Sequence, residues 1–424
     1  MSFRLHSARR TVLAFTLIGF AACNKILDVE NPGSVPAESL IDPALAPALA
    51  AAAIQTLQCG VIQYAATASM LSGEELNANG FVDNHPWEWR GIAEIKGAPG
   101  NCNYGRATTA MGFYTPLQQA RFQLDDTFDR LDKFTDAQVP NRLSLMASMR
   151  AYGGYALLLL GEGMCEMAID NGPSITRAAV FALAETRFSD AITRATSLGD
   201  QSLLNMARVG RARARLDLKN LPGAAADAAL VPTGFVRNAE FTEGGATQRE
   251  NRIYNLTIRN EYLSVAAPYR NLTVNNVPGN VPDPRVKVKD AAKKANDGIT
   301  PLFQQQKFTA GNSNHPIASW NEAQLILAEA TGGQAGLDAI NRVRTANAVP
   351  VITDPAPTGQ AFTDLVLEER RRQLFMEGQR YGDMLRYNLP FTKGLTIKGN
   401  TYSDLTCVPL PDVETRNNPN FKTP

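Results

Sequence analysis

Four long segments between residues 116 and 218 carry apolar residues at the spacing of one helix face. They span residues 116–134, 142–160, 176–196 and 202–218, and short linkers separate the members of each pair. Helices joined by short linkers lie antiparallel, because the chain must reverse its direction at once. The sequence therefore predicts an all-α fold built from helix pairs.

The last of these segments overlaps a stretch that resembles a tetratricopeptide unit. Residues 207–231 (ARVGRARARLDLKNLPGAAADAALV) are rich in small side chains, which let two helices approach closely, and residues 220–222 form the expected turn. We therefore predict tetratricopeptide-like helix pairs over residues 115–231. Further helices are predicted at 319–330, 335–347 and 363–376, and an alanine-rich one at 48–71, interrupted near Cys59 and Gly60.

Three other stretches lack a sustained period. Residues 72–106 contain six glycines and two tryptophans and are predicted to form a long loop. Residues 232–314 hold Asn, Pro and Gly between short alternating runs such as 252–258, which predicts an irregular excursion with small hairpins. The tail, residues 389–424, is predicted to be loop-like.

The amino terminus has the features of an export signal. Arg4, Arg9 and Arg10 precede an apolar run at 11–20, and the motif at 20–23 (FAAC) resembles a bacterial lipobox, in which Cys23 would be lipidated. The alternative is ordinary cleavage, which leaves Cys23 as a thiol. We predict a signal peptide at 1–22, a lipid-anchored tether at 23–47 and a single helical domain at 48–424. After the leader we expect no run of about 18 apolar residues that would span a membrane.

Removal of the leader also changes the charge. Three of the 42 basic residues are lost, which leaves 39 against 41 acidic ones and a net charge of −2. This balance argues against a nucleic-acid partner. The even set of remaining cysteines in an exported chain predicts one or two disulfides with the pairing open, among Cys59, Cys102, Cys165 and Cys407.

Motifs for metals and cofactors are missing from the sequence. It has no CxxC or HxxxH spacing, and the mature chain keeps only His85 and His315, so we predict no metal site. No P-loop, and no GxGxxG followed by a helix, occurs either, so we predict no cofactor.

Four carboxy-terminal motifs and the lipobox together resemble the SusD/RagB family of bacterial outer-membrane lipoproteins. The longest is LEERRRQLFMEGQRYGDMLR at residues 367–386. The others are WNEAQLILAEA at 320–330, AINRVR at 339–344, and PLPDVE at 409–414 with Asn-Pro at 418–419. The family's motif spacing is carried by six residues, namely Glu369, Arg370, Glu377, Gly378, Arg380 and Asp383.

This resemblance implies a SusD-like α-helical fold and a cell-surface nutrient-binding lipoprotein. Such a protein captures oligosaccharide, or peptide in some members, and delivers it to a SusC-like TonB-dependent transporter of the outer membrane. The resemblance implies no enzymatic activity and no cofactor.

The residues of the longest motif also have a physical interpretation. Glu368 and Arg372 lie four apart on one helix face, as do Glu369 and Gln373, which is typical of a solvated face that supports its own helix. We therefore predict that the six motif residues are structural, with Glu369, Arg370 and Asp383 holding the helix against its neighbours.

The candidate ligand residues lie in the 72–106 loop. Indole faces stack on sugar rings and polar side chains satisfy sugar hydroxyls, which favours a ligand role for a set of five residues, namely Trp87, Trp89, Asp83, Asn84 and Tyr104. The alternative is that one or both tryptophans fold under the loop as a local core. Trp320 is predicted to lie in the core.

Two other function classes stay open. One is a tetratricopeptide-type scaffold that binds proteins at the envelope. The other is a lipid-anchored glycoside hydrolase, which would need a carboxyl pair facing one bond, such as Glu74 and Glu75. The run at 75–80 has some likeness to a calcium loop, but Pro86 stands where the bidentate carboxylate belongs.

Overall fold

Helices dominate the computed structural model, which describes residues 41–81, 84–102, 111–244 and 249–421. The helices are α1 (Ala46–Leu71), α2 (His85–Trp89), α3 (Ile92–Gly97), α4 (Tyr114–Asp132), α5 (Arg142–Gly163), α6 (Arg177–Leu198), α7 (Gln201–Asp217), α8 (Leu221–Ala228), α9 (Arg252–Tyr254), α10 (Trp320–Thr331), α11 (Gly333–Ala346), α12 (Gln360–Gln373), α13 (Gln379–Arg386) and α14 (Asp412–Asn417). The predicted all-α class is therefore confirmed. The leader, Cys23 and the tether as far as residue 40 lie outside the described residues, and Pro43–Leu45 forms one 3₁₀ turn.

The predicted helix pairs correspond to α4–α5 and α6–α7, with boundaries within three residues of those expected. Helices α5 and α7 pack closely against α6, because each has a glycine next to Phe188 of α6. A Cβ atom at Gly154 would lie 2.6 Å from the Phe188 ring, and one at Gly210 would lie 2.3 Å from it. The fully buried ring thus fills the space that two glycines leave open.

The predicted tetratricopeptide turn is also present. Helix α8 begins after Asn220, whose side-chain oxygen accepts a hydrogen bond from the Gly223 N–H at 3.1 Å and caps the helix. The carboxyl of Asp227 on α8 accepts hydrogen bonds from Arg211 and Arg215 of α7. These bonds join the two helices of the unit.

Helix α1 is continuous through Gly60, so the predicted interruption is wrong. A Cβ atom at Gly60 would lie 2.8 Å from Leu117 Cδ2 on α4. The glycine therefore serves a close contact between helices and does not end α1.

Four small antiparallel sheets of two strands each occur in the described ranges. The strands are β1 (Glu75–Asn77), β2 (Glu166–Met167), β3 (Ile175–Thr176), β4 (Val236–Ala239), β5 (Leu263–Val265), β6 (Val288–Lys294), β7 (Pro301–Gln305) and β8 (His315–Ser319), paired as β1–β5, β2–β3, β4–β8 and β6–β7. Three sheets draw a strand from the 232–314 excursion. The alternating run at 252–258 is not a strand, because α9 and a π-helical turn occupy it.

Two disulfides select one of the three pairings that the sequence left open. Cys59 on α1 pairs with Cys102, and Cys165 after α5 pairs with Cys407 near the carboxyl end. The second bridge lies beside an isolated parallel bridge between Met164 and Val408. It therefore fastens the last loop of the chain to the helix pairs.

Within the described residues, α1 and α5 are long and apolar enough to cross a membrane, although the sequence led us to expect no such run. In the carboxy-terminal half of each helix the side chains face the protein interior instead. Every residue from Cys59 to Leu71 in α1 and from Ala151 to Gly163 in α5 is buried. Side chains of both helices therefore form part of the main hydrophobic core.

Candidate ligand-binding face

The predicted loop with the tryptophans is held against a second loop near the carboxyl end, and Arg90 makes the central contact. Its guanidinium donates hydrogen bonds to the backbone oxygens of Thr392 and Ser403, both at 2.8 Å, and of Leu405 at 2.9 Å. The Tyr402 ring lies 5.3 Å from the guanidinium carbon, within cation–π range. Arg90 therefore fixes residues 392–405 onto the end of α2.

Lys398 makes a second contact between the same loops. Its Nζ donates to Asn79 O at 2.6 Å, to Asn77 O at 3.1 Å and to Asn77 Oδ1, and it lies 3.1 Å from Asp297 Oδ2. Burial lowers the Lys398 pKa from its ordinary value, although Asp297 opposes that shift. The run with a likeness to a calcium loop thus surrounds an ammonium group that belongs to the chain itself.

Of the five predicted ligand residues, the structure describes Trp87, Asn84 and Trp89, and two of these three are buried. Trp87 is only 2% exposed and packs in the core, with its ring centroid 6.3 Å from that of Phe113. Asn84 is fully buried as well. Neither presents a surface to a ligand in this structure, so the alternative of a local core holds for Trp87.

Trp89 is the predicted ligand residue that keeps a partly exposed side chain. Its backbone oxygen accepts a hydrogen bond from the Ser403 N–H at 2.9 Å, which places Trp89 beside the second loop. Asp83 and Tyr104 lie outside the described residues. Trp320 is buried in the core, as the sequence predicted.

Several large apolar side chains on the two joined loops are exposed. Phe81 is 40% exposed, Ile92 49%, Leu395 68% and Ile397 50%. We refer to these four residues and Trp89 as the loop face. Single exposed apolar residues are ordinary, but exposed apolar residues on two segments that Arg90 and Lys398 hold together are candidates for a binding surface.

The carboxyl pair of the hydrolase alternative lies beneath this region. Glu74 and Glu75 are 0% and 1% exposed. Burial raises the pKa of Glu74 to about 7 and that of Glu75 to about 8. Glu74 accepts a hydrogen bond from the Met376 N–H, and Glu75 accepts one from the Ser69 hydroxyl. The pair supports the fold and does not face a substrate.

Most motif residues on α12 and α13 are buried, Glu369, Arg370 and Asp383 among them, so the predicted solvated face is wrong. The Glu369 carboxylate accepts a hydrogen bond from Arg285 at 2.6 Å and one from Arg344 at 2.8 Å. Burial alone would raise the Glu369 pKa, but the two arginines outweigh it and hold the pKa below its ordinary value. The predicted pair of Glu368 and Arg372 does form, at 2.7 Å.

A second buried network joins α12 to α13. Asp383 accepts hydrogen bonds from Arg370 and Arg386, both at 2.8 Å, and these arginines lower its pKa to about 2 in spite of burial. Gly378 begins α13 with φ +82°, and Glu377 pairs with Lys307 at 2.6 Å. These contacts agree with a structural role for the motif. Arg380 is half-buried on α13.

Residues 242–421 match the sequence model of the SusD family. The predicted resemblance to the SusD/RagB family is confirmed. No curated protein matches the sequence at a significant level. The matched region contains all four carboxy-terminal motifs and residues 392–405, the loop that Arg90 and Lys398 contact.

Solved structures show the same fold over nearly the whole chain. A SusD-like carbohydrate-binding protein from Bacteroides vulgatus superposes with a TM-score of 0.64 at 14% identity, covering 90% of this chain and 97% of that one. A SusD superfamily protein from Bacteroides fragilis gives 0.65 at 15% identity, covering 90% and 99%. One from Parabacteroides distasonis gives 0.64 at 12%, covering 92% and 99%.

Sequence reasoning missed Arg90 and Lys398 as the residues that join the two SusD-like loops. Their hydrogen-bond partners in the opposite loop lie more than 300 positions away in the chain, at separations such as 313 and 321. No local pattern carries such a signal. The positive φ of Arg90, +60°, is likewise invisible in the sequence.

Proposed function

We propose that this protein is a nutrient-binding lipoprotein of the cell surface, which captures an oligosaccharide and passes it to a SusC-like TonB-dependent transporter. The match of residues 242–421 to the SusD family carries this proposal. The SusD-like fold over 90% of the chain supports it. In this function the protein binds its ligand and catalyses no reaction.

We assign the ligand to the loop face, with Trp89 as its main aromatic contact. Apolar side chains and a partly exposed indole suit the C–H surfaces of sugar rings. Arg90 and Lys398 fix both loops, which lowers the entropy that ordering them on a ligand would cost. A SusD-like relative is described as carbohydrate-binding, which favours a glycan over a peptide.

Anchoring follows from the amino terminus. The motif at 20–23 would supply a lipidated Cys23, and the proline-containing tether would separate the folded part from the outer membrane. SusD-family proteins generally reside at that membrane. A transporter that supplies the energy of import needs no nucleotide site on its lipoprotein partner.

Purification from gently solubilised native outer membrane, through a tag after the last residue, tests the transport role. Recovery of a large TonB-dependent barrel in near-equal amount is the expected result. Recovery of the lipoprotein alone, or with a periplasmic partner, would contradict the proposal and favour the tetratricopeptide-type scaffold.

Titration with oligosaccharides and with peptides tests the site. Loss of a stacked aromatic contact is worth about 0.5–1.5 kcal/mol beyond burial, so Trp89→Ala should weaken glycan binding about two- to tenfold. Phe122→Ala is the matched control, because Phe122 is 55% exposed but lies on α4, outside the loop face. Equal glycan affinities of the two variants would contradict a role of Trp89 in binding. Turnover of the glycan by the pure protein would instead favour the glycoside hydrolase alternative.

A further inference from the structure

A basic cavity of about 240 Å³ lies apart from the loop face, where the chain before β6 and after β7 meets the end of α11 and of α12. Besides Pro284, its lining consists of six polar side chains, namely Arg285, Lys287, Gln306, Lys307, Asn347 and Gln373. Three of them are cations and none is a carboxylate. None of them belongs to the loop face.

Two of these cations are already neutralised by the fold. The Arg285 guanidinium donates to the carboxylates of Asp283 and Glu369. Lys307 donates to Glu377 at 2.6 Å and to the backbone oxygens of Gln373 and Phe375.

Lys287 differs from these two cations. It is exposed, and it forms no salt bridge with any residue in the described parts of the chain. Lys287 can therefore pair with an anionic ligand, because the charges of Arg285 and Lys307 are already balanced by carboxylates of the fold.

The amides of the cavity supply hydrogen-bonding groups beside that cation. Gln373 is 8% exposed, and its Oε1 has no hydrogen-bond partner within the described residues. In the ranges that the structure describes, its Nε2 makes one contact, at 3.3 Å to Asn347 Oδ1. Over the same ranges the Gln306 amide donates to backbone oxygens of its own segment, at 3.0 and 3.4 Å. A buried acceptor without a partner is unfavourable, so a ligand hydroxyl that turns the Gln373 amide toward the cavity would remove that cost.

We propose that this cavity binds one carboxylate-bearing sugar unit, of the hexuronate class. The carboxylate pairs with Lys287, and the ring hydroxyls bond to Gln306, Asn347 and Gln373. A cavity of about 240 Å³ has room for a single ring. A lining with only Pro284 as an apolar member suits hydroxyl groups and disfavours an apolar peptide side chain.

The experiment is a calorimetric or NMR titration of the full mature chain with D-galacturonate and D-galactose at low salt. These sugars share a ring and differ at one carbon, which carries a carboxylate in the first and a hydroxymethyl group in the second. Galacturonate should bind at least tenfold more tightly, and added salt should weaken it. Lys287→Ala should lower its affinity about tenfold, because a charge-assisted hydrogen bond is lost.

The matched control is Lys289→Ala, which removes an exposed lysine two residues further along the chain, in β6 and outside the cavity. It should leave galacturonate binding unchanged. An equal loss in both lysine variants, equal affinity for galactose, tighter binding of a dipeptide carboxylate, or no galacturonate binding at millimolar concentration would each overturn the proposal. A galacturonate signal that is lost in Trp89→Ala but kept in Lys287→Ala would belong to the loop face and would also overturn this proposal, so failure here and failure of the proposed function are distinguishable.

Discussion

Replacing Glu369 by alanine removes a carboxylate that no solvent reaches and that two arginines share. Arg285 keeps Asp283 as a partner, so the loss falls mainly on Arg344, which is fully buried and 2.8 Å from Glu369. Breaking a buried pair from one side costs about 3–5 kcal/mol, because the other charge stays buried without compensation. A domain has a free energy of unfolding of about 5–15 kcal/mol, so this change should remove a large part of it.

The neighbouring Glu368 provides the control for this experiment. It also pairs with two arginines, Arg371 and Arg372, but its side chain is 30% exposed. Solvent screens a pair whose carboxylate is partly exposed, so Glu368→Ala should shift the urea midpoint less than Glu369→Ala does. Equal shifts for both variants in urea unfolding would refute the argument that burial decides the energy of these pairs.

Acid should weaken the effect of the Glu369 change. The two arginines lower the Glu369 pKa in the folded state, so its contribution to stability is complete above the ordinary glutamate pKa of about 4.3. That contribution is lost as the pH falls through the lower, folded-state pKa. The difference between wild type and Glu369→Gln should therefore shrink under acid, and a constant difference would contradict this assignment.

Gly378→Ala should cost about 1–2 kcal/mol in urea unfolding, because Gly378 has φ +82° and a Cβ there would lie 3.0 Å from Ala65 Cα; an unchanged midpoint would refute this. Replacing Cys165 and Cys407 together by serine should lower the free energy of unfolding by about 5 kcal/mol, because the bridge closes a loop of 242 residues and so restricts the unfolded chain. A smaller loss than that caused by removing the Cys59–Cys102 bridge would contradict this argument from chain entropy. Glu75→Gln should flatten the fall in stability with rising pH. Burial raises the Glu75 pKa to about 8, so wild type loses stability as the pH rises from about 4.3 through 8, and equal slopes of midpoint against pH would contradict this.

Helices of strong period were predictable because their signal is local. The boundaries of α5, expected at 142–160 and found at Arg142–Gly163, follow from leucines and alanines on one stripe. Gly60 shows the limit of this approach. Its role depends on Leu117 of another helix, so the sequence indicated a helix break where the structure has a close contact.

The candidate site was less predictable than the fold. Two tryptophans in a polar loop look alike in the sequence, yet Trp87 enters the core beside Phe113 while Trp89 stays at the surface. The spacing of Glu369 and Gln373 predicted that Glu369 lies on a solvated helix face. Its real partners, Arg285 and Arg344, lie 84 and 25 positions away, and the helical period carries no information about them.

The oxygen-lined position between Asn77, Asn79 and Asp297 holds the ammonium of Lys398. A diffusible ion in such a position would be exchanged with the medium, and chelators or a change of external calcium would release the loops it joins. A covalently attached cation has an effective concentration that dilution does not alter. The contact between the two loops is therefore independent of the divalent ions around the protein, and treatment with EDTA should leave its protection from proteolysis unchanged.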